Sequence, residues 1–283
     1  MKRTRAVLVA PKQFDFVQEE IPKLKENEVL YKTISVGLCH SDIPAYRGTS
    51  AMGFGNKHGY DAMIKIPETS KPIDACLGEP MMCVANIVRA VEPKMGDRVA
   101  VIGCGFMGLM VIAGLKSRAL GDIVAIDLDE KRLEMAVQYG ATKTINPKNV
   151  DVEDVSFELT HGRMYDCIVE ITGSLRGLQT ALSVAKISGR GKILAPSVYS
   201  KNETWTEEMA YNMMYRSPII HVVHPYYTNE YMHTLEIGVE AYVKGVFPTE
   251  ELITHRIPFE RVDEGFRLLD TNPPGYIKGI ITF

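Results

Sequence analysis

A thiol, a hydroxyl and a carboxylate lie close together in the stretch GLCHSD, residues 37–42. A cysteine thiolate binds Zn²⁺, and a bound zinc ion makes an alcohol more acidic. A serine hydroxyl that is hydrogen-bonded to this alcohol can pass the proton on to water. Cys39, Ser41 and Asp42 therefore form a candidate site for metal-assisted proton transfer. Further metal ligands do not follow at a familiar spacing, so this pattern alone leaves the ligand set incomplete.

A glycine-rich turn in VAVIGCGFMGLM, residues 99–110, is the second chemical feature. Gly103, Gly105 and Gly108 follow an apolar strand and open an apolar helix in the order G-x-G-x-x-G. The first glycine permits a tight turn, the second lets the backbone approach a pyrophosphate, and the third lets the helix pack closely on the strand. The helix start, at Phe106 and Met107, offers backbone N–H groups to phosphates. The alternative is a tight strand-to-helix turn that binds no ligand.

A carboxylate follows this turn at the distance that dinucleotide binding requires. The apolar run DIVAID ends at Asp127, 19 residues beyond Gly108. A carboxylate at the end of the second strand accepts hydrogen bonds from the ribose hydroxyls of NAD and repels the 2′-phosphate of NADP. Lys131 and Arg132 lie close by and would partly offset that repulsion. The pattern predicts an NAD-binding domain.

The elements that position these residues follow from the apolar periodicity. From about residue 97 strands alternate with helices, which predicts βαβ units and a doubly wound parallel sheet of the α/β class. The predicted strands are DRVAVIG, DIVAID, ATKTIN, YDCIVEITG and GKILAPSV, and the predicted helices are FMGLMVIAGLKSRAL, DEKRLEMAVQYG and SLRGLQTALSVAKI. Before residue 80 the short β-rich runs RAVLV, EVLYKTISVG and DAMIKIP predict a small β domain. The tail predicts a strand, an amphipathic helix and a final strand.

Composition excludes several classes of partner. The chain has 283 residues, is 46% hydrophobic and has a formal net charge of −3, values that are ordinary for a globular protein. We expect no nucleic-acid partner, because no basic face is evident. We expect no membrane partner, because no apolar run approaches roughly 20 residues. The five cysteines are scattered and form no C-x-x-C pair. We therefore expect no disulfide framework, and we expect a cytoplasmic location.

The chain resembles the medium-chain dehydrogenase/reductase family, the zinc alcohol and polyol dehydrogenases. The resemblance rests on segments spread over nearly the whole chain. They are GLCHSD at 37–42, LGEP at 77–80, MGDRVAVIGCGFMG at 95–108, DLDEKRLEMAVQYGA at 127–141, YDCIVEITG at 165–173 and LITHRIPFERVDEGFRLL at 252–269. The resemblance implies a Rossmann domain over residues 85–251 and a GroES-like β domain over 1–84 and 252–283. Substrate would bind in the cleft between them.

The resemblance also implies roles for individual residues. Cys39 would be the first ligand of a catalytic zinc, Ser41 would pass the substrate proton outward, and Asp42 would support them. His40 would lie near the cofactor pyrophosphate. The residues expected beside the nicotinamide, at the carboxyl ends of two later strands, are Thr172, Gly173, Pro196 and Ser197.

The chain departs from the family pattern directly after the candidate zinc ligand. The usual Gly-His-Glu motif and the lobe that follows it are missing, because RGTSAMGFGNK runs almost directly into HGYDAMIKIP. Such a truncated GroES-like domain lacks the expected second and third ligands. Our hypothesis for a rebuilt site is Cys39, His58 and Glu79, with water or substrate as the fourth ligand. In the alternative, His58 is a loop histidine, Cys39 a buried thiol and Glu79 a carboxylate favoured at a helix start.

Two functions of different classes remain open from the sequence. The first is an NAD-dependent dehydrogenase of a secondary alcohol, a polyol or sugar derivative in class, with an alcohol or ketone as its small-molecule partner. HPYYTNEY at 224–231 resembles the sorbitol and xylitol dehydrogenase branch, which favours this class of substrate. The second is a non-catalytic NAD-binding protein that has lost the metal site. The resemblance further implies a homodimer or homotetramer that pairs through edge strands within GKILAPSV and SPIIHVV.

Overall fold

The structure is a computed structural model that describes residues 2–49, 63–187, 189–199, 203–223 and 230–283. The chain divides into two compact units. The first consists of Met1–Met63, Thr69–Leu77 and Thr249–Phe283, and the second of Ile64–Glu68 and Gly78–Pro248. These divisions fall a few residues before the boundaries expected from the sequence, at residues 84 and 251. Among the described residues, no helix is long and apolar enough to cross a membrane.

The helices and strands alternate over most of the chain. The strands are β1 (Lys2–Ala10), β2 (Gln13–Glu20), β3 (Ser35–Gly37), β4 (Arg98–Ile102), β5 (Asp122–Ile126), β6 (Lys143–Ile145), β7 (Cys167–Glu170), β8 (Lys192–Leu194), β9 (Ile219–His221), β10 (Ile253–Pro258) and β11 (Lys278–Thr282). The helices are α1 (Ile43–Tyr46), α2 (Gly78–Val91), α3 (Phe106–Leu115), α4 (Glu130–Tyr139), α5 (Val152–Leu159), α6 (Leu175–Val184), α7 (Glu207–Arg216), α8 (Tyr231–Val243), α9 (Thr249–Leu252) and α10 (Val262–Thr271).

The second unit contains a six-stranded parallel sheet in the order β6-β5-β4-β7-β8-β9. Counted from β4, this is the strand order 3-2-1-4-5-6 of a Rossmann fold. The predicted α/β class and doubly wound sheet are confirmed. The central strands are buried along their length, as expected for a parallel sheet covered on both faces.

Short polar side chains begin four helices of this unit. Asp129 accepts hydrogen bonds from the backbone at the start of α4, and Asp151 does the same at α5. Ser174 and Thr206 accept from the first turns of α6 and α7. Such N-caps satisfy N–H groups that have no partner within the helix. Gly140, at φ +126°, ends α4, where the sequence predicts its end.

The first unit has less regular structure. β1 and β2 form an antiparallel hairpin, and a second sheet has the order β10-β11-β3. The predicted strand, helix and final strand of the tail are present as β10, α10 and β11. A buried apolar cluster joins the two ends of this unit, with Leu38, Tyr46, Ile257, Leu269 and Ile281 among its members.

Two strands predicted for the N-terminal β domain are wrong in extent. In EVLYKTISVG only Ser35–Gly37 forms a strand, and within DAMIKIP the described residues 63–67 form none. A strand needs a paired neighbour for its backbone N–H and C=O groups. Among the described residues β3 pairs with β11 alone, over three residues. The apolar side chains of Val29, Tyr31 and Ile34 are correspondingly exposed.

Candidate functional site

The predicted cofactor residues of the second unit lie along one edge of its sheet. Each follows the carboxyl end of a different strand, and the carboxyl ends of parallel strands meet at the same edge, where open α/β sheets bind ligands. In spatial order these are Asp127 after β5, Gly103 after β4, Thr172 after β7 and Pro196 after β8. The sheet therefore brings together residues that are separated by up to 93 positions in the sequence.

The glycine turn has a backbone that only glycine can provide at two of its three positions. Gly103 has φ +100°, the region that favours glycine, and donates its N–H to Ile126 O at 2.9 Å. A Cβ on Gly108 would lie 1.9 Å from Gly103 O. Because Gly108 has no Cβ, α3 can pack directly against the turn.

Gly105, the second glycine of the motif, faces open space among the described residues. It is the N-cap of α3, and a Cβ built there would meet no described atom within 4 Å. The first turn of α3 begins directly at Gly105, and the first N–H groups of a helix point out of its N-terminal end. Open space beside a helix N-terminus is what a pyrophosphate requires, so this turn fits the phosphates of a dinucleotide.

Asp127 is tied to the glycine turn through its carboxylate. Its Oδ2 accepts a hydrogen bond from Cys104 N–H at 2.6 Å, and its Oδ1 accepts one from Asp129 N–H at 2.9 Å. A carboxylate has about four lone-pair sites. The two backbone bonds fix its orientation and leave lone pairs for two ribose hydroxyls. The charge is thus held at the position where the sequence predicts the adenosine ribose.

The thiol within the glycine turn is chemically inert. Cys104 is fully buried, and burial raises the pKa of its thiol far above the ordinary value, with the Asp127 carboxylate adding to the effect. A buried protonated thiol packs as a small apolar group. Its functional contribution is its backbone N–H, which orients Asp127.

The expected nicotinamide residues form two adjoining loops. Thr172 and Gly173 follow β7, and Pro196 and Ser197 follow β8. Gly173 has φ +72°, and a Cβ on it would lie 3.2 Å from Val198 O. The structure therefore brings the two loops into contact. Glu170, at the end of β7, accepts hydrogen bonds from Thr172 and from Tyr199. Sequence reasoning missed it, although a carboxylate inside the apolar strand CIVE was a signal of a buried polar group.

In the first unit, the thiol and the hydroxyl predicted to act together are hydrogen-bonded. Ser41 Oγ donates to Cys39 Sγ at 3.2 Å, and Asp42 Oδ2 accepts from Cys39 N–H, also at 3.2 Å. His40–Asp42 form a short 3-10 turn that leads into α1. His40, Ser41 and Asp42 are exposed, and Cys39 is half-buried. The hydroxyl therefore contacts the thiol and is also accessible to solvent.

Three hydrogen bonds from basic side chains lie at the Cys39 turn and just beyond it in the first unit. The buried Lys278 ammonium donates to Leu38 O at 2.5 Å, directly before Cys39. Beyond the turn, Arg47 Nε donates to Asp270 Oδ1 at 2.5 Å, and Lys12 Nζ donates to Asp270 Oδ2 at 2.8 Å. The hydrogen bond from Lys12 holds the pKa of the Asp270 carboxyl below its usual value, with Arg47 adding to the effect. Sequence reasoning missed Lys278, which no local pattern connects to Leu38.

The predicted metal ligands Cys39, His58 and Glu79 are not tested as a set by the described residues. Within that part of the chain, no three His, Cys, Asp or Glu side chains lie close enough together to hold a metal ion. His58 lies outside the described residues. Glu79 is in the second unit, where Cys83 Sγ donates to its Oε1 at 3.1 Å, whereas Cys39 is in the first. Because one of the three residues lies outside the described part of the chain and the other two lie in different units, the set Cys39, His58 and Glu79 stays a prediction.

The chain is similar to known dehydrogenases. The family model described as zinc-binding dehydrogenase matches residues 107–218. An L-threonine 3-dehydrogenase of Bacillus licheniformis is 27% identical over 272 residues, which cover 89% of this chain and 75% of that protein. A sorbitol dehydrogenase of Bacillus subtilis is 28% identical over 204 residues, which cover 72% of this chain and 55% of that protein. The chain thus spans about half the length of the latter.

A solved structure supports the fold over the full length. The crystal structure of galactitol-1-phosphate dehydrogenase from Escherichia coli matches with a TM-score of 0.81 at 17% identity, covering 99% of this chain and 100% of that chain. At this identity the match establishes a shared fold. The Rossmann strand order, the family model and the relatives agree: residues 107–218 match a zinc-binding dehydrogenase domain, and the chain is similar to the medium-chain alcohol and polyol dehydrogenases.

Proposed function

We propose that this protein is an NAD-dependent dehydrogenase that oxidises a secondary alcohol, a polyol or sugar derivative in class, to the ketone. The observation that carries the proposal is the order of residues along the sheet edge. Along this edge the order is Asp127, then the open turn at Gly105, then the paired loops at Thr172 and Pro196. The adenosine ribose, the pyrophosphate and the nicotinamide follow one another in the same order in the cofactor. The relative named sorbitol dehydrogenase supports a polyol substrate, and the relative named L-threonine 3-dehydrogenase supports a secondary alcohol more generally.

The protein's own residues would bind the cofactor and move the proton. Asp127 would accept the ribose hydroxyls, and the turn at Gly103–Gly108 would hold the pyrophosphate. When bound, NAD accepts the hydride that leaves the carbinol carbon. The hydroxyl proton of the alcohol would pass to Ser41 Oγ, while Ser41 releases its own proton to water. Ser41 suits this role because its hydroxyl is exposed and oriented by Cys39 Sγ at 3.2 Å.

Zinc remains a hypothesis based on the sequence, with Cys39 and Glu79 as the ligands among the described residues and His58 outside them. No step of the proposed reaction is routed through it. Elemental analysis of purified protein tests the hypothesis, with Cys39→Ala beside the control Cys76→Ala. Cys76 is a half-buried cysteine of the same unit. We expect about one zinc per chain, lost in Cys39→Ala and retained in Cys76→Ala. Zinc that both variants retain, or none in the wild type, would contradict the hypothesis.

The activity is tested by NADH formation from NAD with sorbitol, xylitol and related polyols. We expect turnover with at least one polyol and a loss of roughly 100-fold in kcat for Ser41→Ala, within the range that proton transfer by a positioned group contributes. Tight NADH binding without reduction of NAD by any alcohol would instead support the non-catalytic alternative. Failure to bind NADH would contradict both functions.

We also propose that the chain forms a homodimer through the edge strand β9. In the described part of the chain β9 pairs with β8 alone, and Ile219 and Ile220 are 50% and 38% exposed. An unpaired apolar edge strand is a template for pairing with another chain. Sedimentation equilibrium should give about twice the 31.6 kDa chain mass. Ile220→Lys should shift the protein to monomer, and Met95→Lys, at an exposed methionine elsewhere in the unit, should not. A monomeric wild type would contradict this proposal.

A further inference from the structure

Glu170 is a buried carboxylate that the proposed reaction does not use. It is the last residue of β7 and has no exposed surface. Burial raises the pKa of its carboxyl, and the hydrogen bonds from Thr172 and Tyr199 oppose that shift. Burying a carboxylate costs free energy unless it is hydrogen-bonded, so its hydrogen-bond partners indicate its role.

Its two oxygens connect the two loops at the sheet edge. Oε1 accepts from Thr172 N–H at 2.8 Å and from Thr172 Oγ1 at 2.5 Å. Oε2 accepts from Tyr199 Oη at 2.5 Å. Thr172 belongs to the loop after β7 and Tyr199 to the loop after β8. One carboxylate therefore fixes the position of one loop relative to the other.

The tyrosine is suited to remain a donor in this network. Burial raises the pKa of the Tyr199 phenol, and the neighbouring Glu170 carboxylate raises it further. The phenol stays protonated and donates to Oε2. On the other side, Thr172 Oγ1 also accepts from Ser174 N–H at 3.1 Å, and Ser174 Oγ caps α6 by accepting from Gly177 N–H at 3.1 Å. The network thus extends from Tyr199 to the start of α6.

The surrounding backbone leaves room for these bonds. A Cβ on Gly177 would lie 2.3 Å from Thr172 Oγ1 and 2.5 Å from Glu170 Oε1, so a side chain there would disrupt both groups. Thr172 also contacts the glycine turn, since its Cγ2 would lie 3.0 Å from a Cβ on Gly103. Glu170 is therefore linked, through Thr172, to the turn that is proposed to hold the pyrophosphate.

We propose that Glu170 and Tyr199 are positioning residues for the nicotinamide half of the cofactor. The inference rests on the proposed function. The two loops that they connect follow β7 and β8. In the strand order, β7 and β8 lie on one side of β4 and its glycine turn, and β5 with Asp127 lies on the other. A dinucleotide with its adenosine ribose at Asp127 extends across the turn toward these loops. Glu170 touches no substrate in this assignment and acts by holding Thr172 and the loop around Ser197 at a fixed separation.

The test compares two ligands that share the adenosine half. NADH contains both halves, and ADP-ribose lacks the nicotinamide. Tyr199→Phe removes one hydroxyl and keeps the ring. We expect it to weaken NADH binding about tenfold, the size of effect that loss of a hydrogen bond to a charged group produces. The affinity for ADP-ribose should change less than about twofold, because Asp127 and the glycine turn are untouched.

Two further variants separate positioning from a general loss of packing. Tyr165→Phe is the matched control, because Tyr165 is a fully buried tyrosine of the same unit whose Oη is 3.2 Å from Ser156 Oγ. It should change the affinity for neither ligand. Glu170→Gln should retain most of the NADH affinity, since the amide oxygen can accept from Thr172 while the amide NH₂ donates to the Tyr199 oxygen.

The outcomes are distinguishable. If Tyr199→Phe weakens NADH and ADP-ribose equally, or weakens neither, the positioning role is overturned while cofactor binding by the wild type stands. If the wild type binds neither ligand, the proposed function itself fails. A selective loss for NADH in Tyr199→Phe, retained affinity in Glu170→Gln and no change in Tyr165→Phe would support the inference.

Discussion

Replacing Gly105 with alanine is expected to leave the protein folded and to weaken NADH binding roughly tenfold to a hundredfold, because overpacking by a methyl group costs about 1–3 kcal/mol. The backbone at Gly105, with φ −76° and ψ −169°, is one that alanine adopts readily. No described atom lies within 4 Å of the new Cβ. The methyl group therefore meets no described part of the protein and occupies the space assigned to the pyrophosphate.

Gly108→Ala is the matched variant with the opposite expected result. Its Cβ would lie 1.9 Å from Gly103 O and 3.0 Å from Gly103 C, both backbone atoms of a tight turn. Alanine gains up to about 1 kcal/mol over glycine in a helix, but the clash costs about 3 kcal/mol or more. The clash outweighs the gain, and we expect a net loss of about 2 kcal/mol in the free energy of unfolding.

Urea unfolding and NADH titration of both variants check this pair. The structure requires that stability falls in Gly108→Ala and that binding falls in a fully folded Gly105→Ala. Wild-type NADH affinity in Gly105→Ala would mean that no ligand approaches this turn. A wild-type unfolding midpoint in Gly108→Ala would mean that the turn adjusts more easily than its backbone contacts indicate.

The Rossmann unit could be predicted from the sequence because its signals are local. The strand before Gly103, the helix after Gly105 and the acid at the end of β5 all lie within 30 residues. Each turn is specified by its own residues, as with Gly103 at φ +100° and Gly140 at φ +126°. Alternating strands and helices then leave one parallel sheet as the consistent arrangement.

The network around Glu170 could not be predicted because its members are distant in sequence. Tyr199 follows Glu170 by 29 positions, and the contact depends on β8 lying beside β7. The acid in CIVE indicates a buried polar group, but the sequence does not tell which residue satisfies it. The same holds for Lys278, whose ammonium reaches Leu38 across 240 positions.

The first unit was predicted less well for a related reason. The run EVLYKTISVG has strand character throughout, yet only Ser35–Gly37 is paired, with β11. Strand propensity reflects packing against neighbours more than an intrinsic backbone preference. The sequence reveals the propensity of Val29 and Tyr31 and not whether a partner strand is present. The proposed ligand His58 lies outside the described residues, so the rebuilt metal site stays a prediction.

Asp127→Asn is expected to reduce the preference for NADH over NADPH by at least about tenfold. The wild-type carboxylate accepts the ribose hydroxyls and repels a 2′-phosphate. Both oxygens of Asp127 accept a backbone N–H, from Cys104 at 2.6 Å and from Asp129 at 2.9 Å. Asparagine is neutral and has only one acceptor oxygen. One of these donors must then face the amide NH₂, so the side chain is also held less firmly. A hydrogen bond to a charged group is worth about 1.5–3 kcal/mol, which corresponds to roughly 10- to 150-fold in Kd.

Asp129→Asn separates this effect from a change in net charge. Asp129 lies two residues further on and caps α4, with Oδ1 accepting from Lys131 N–H at 2.9 Å and from Arg132 N–H at 3.4 Å. Asparagine is about as good an N-cap as aspartate, so this variant removes one negative charge nearby and keeps the local structure. We expect its ratio of NADPH to NADH dissociation constants to stay within about twofold of the wild type. Only Asp127 is oriented toward the ribose by the glycine turn, so only its replacement should lower the ratio. If both variants lower the ratio equally, the selectivity comes instead from the general negative electrostatic field of this loop.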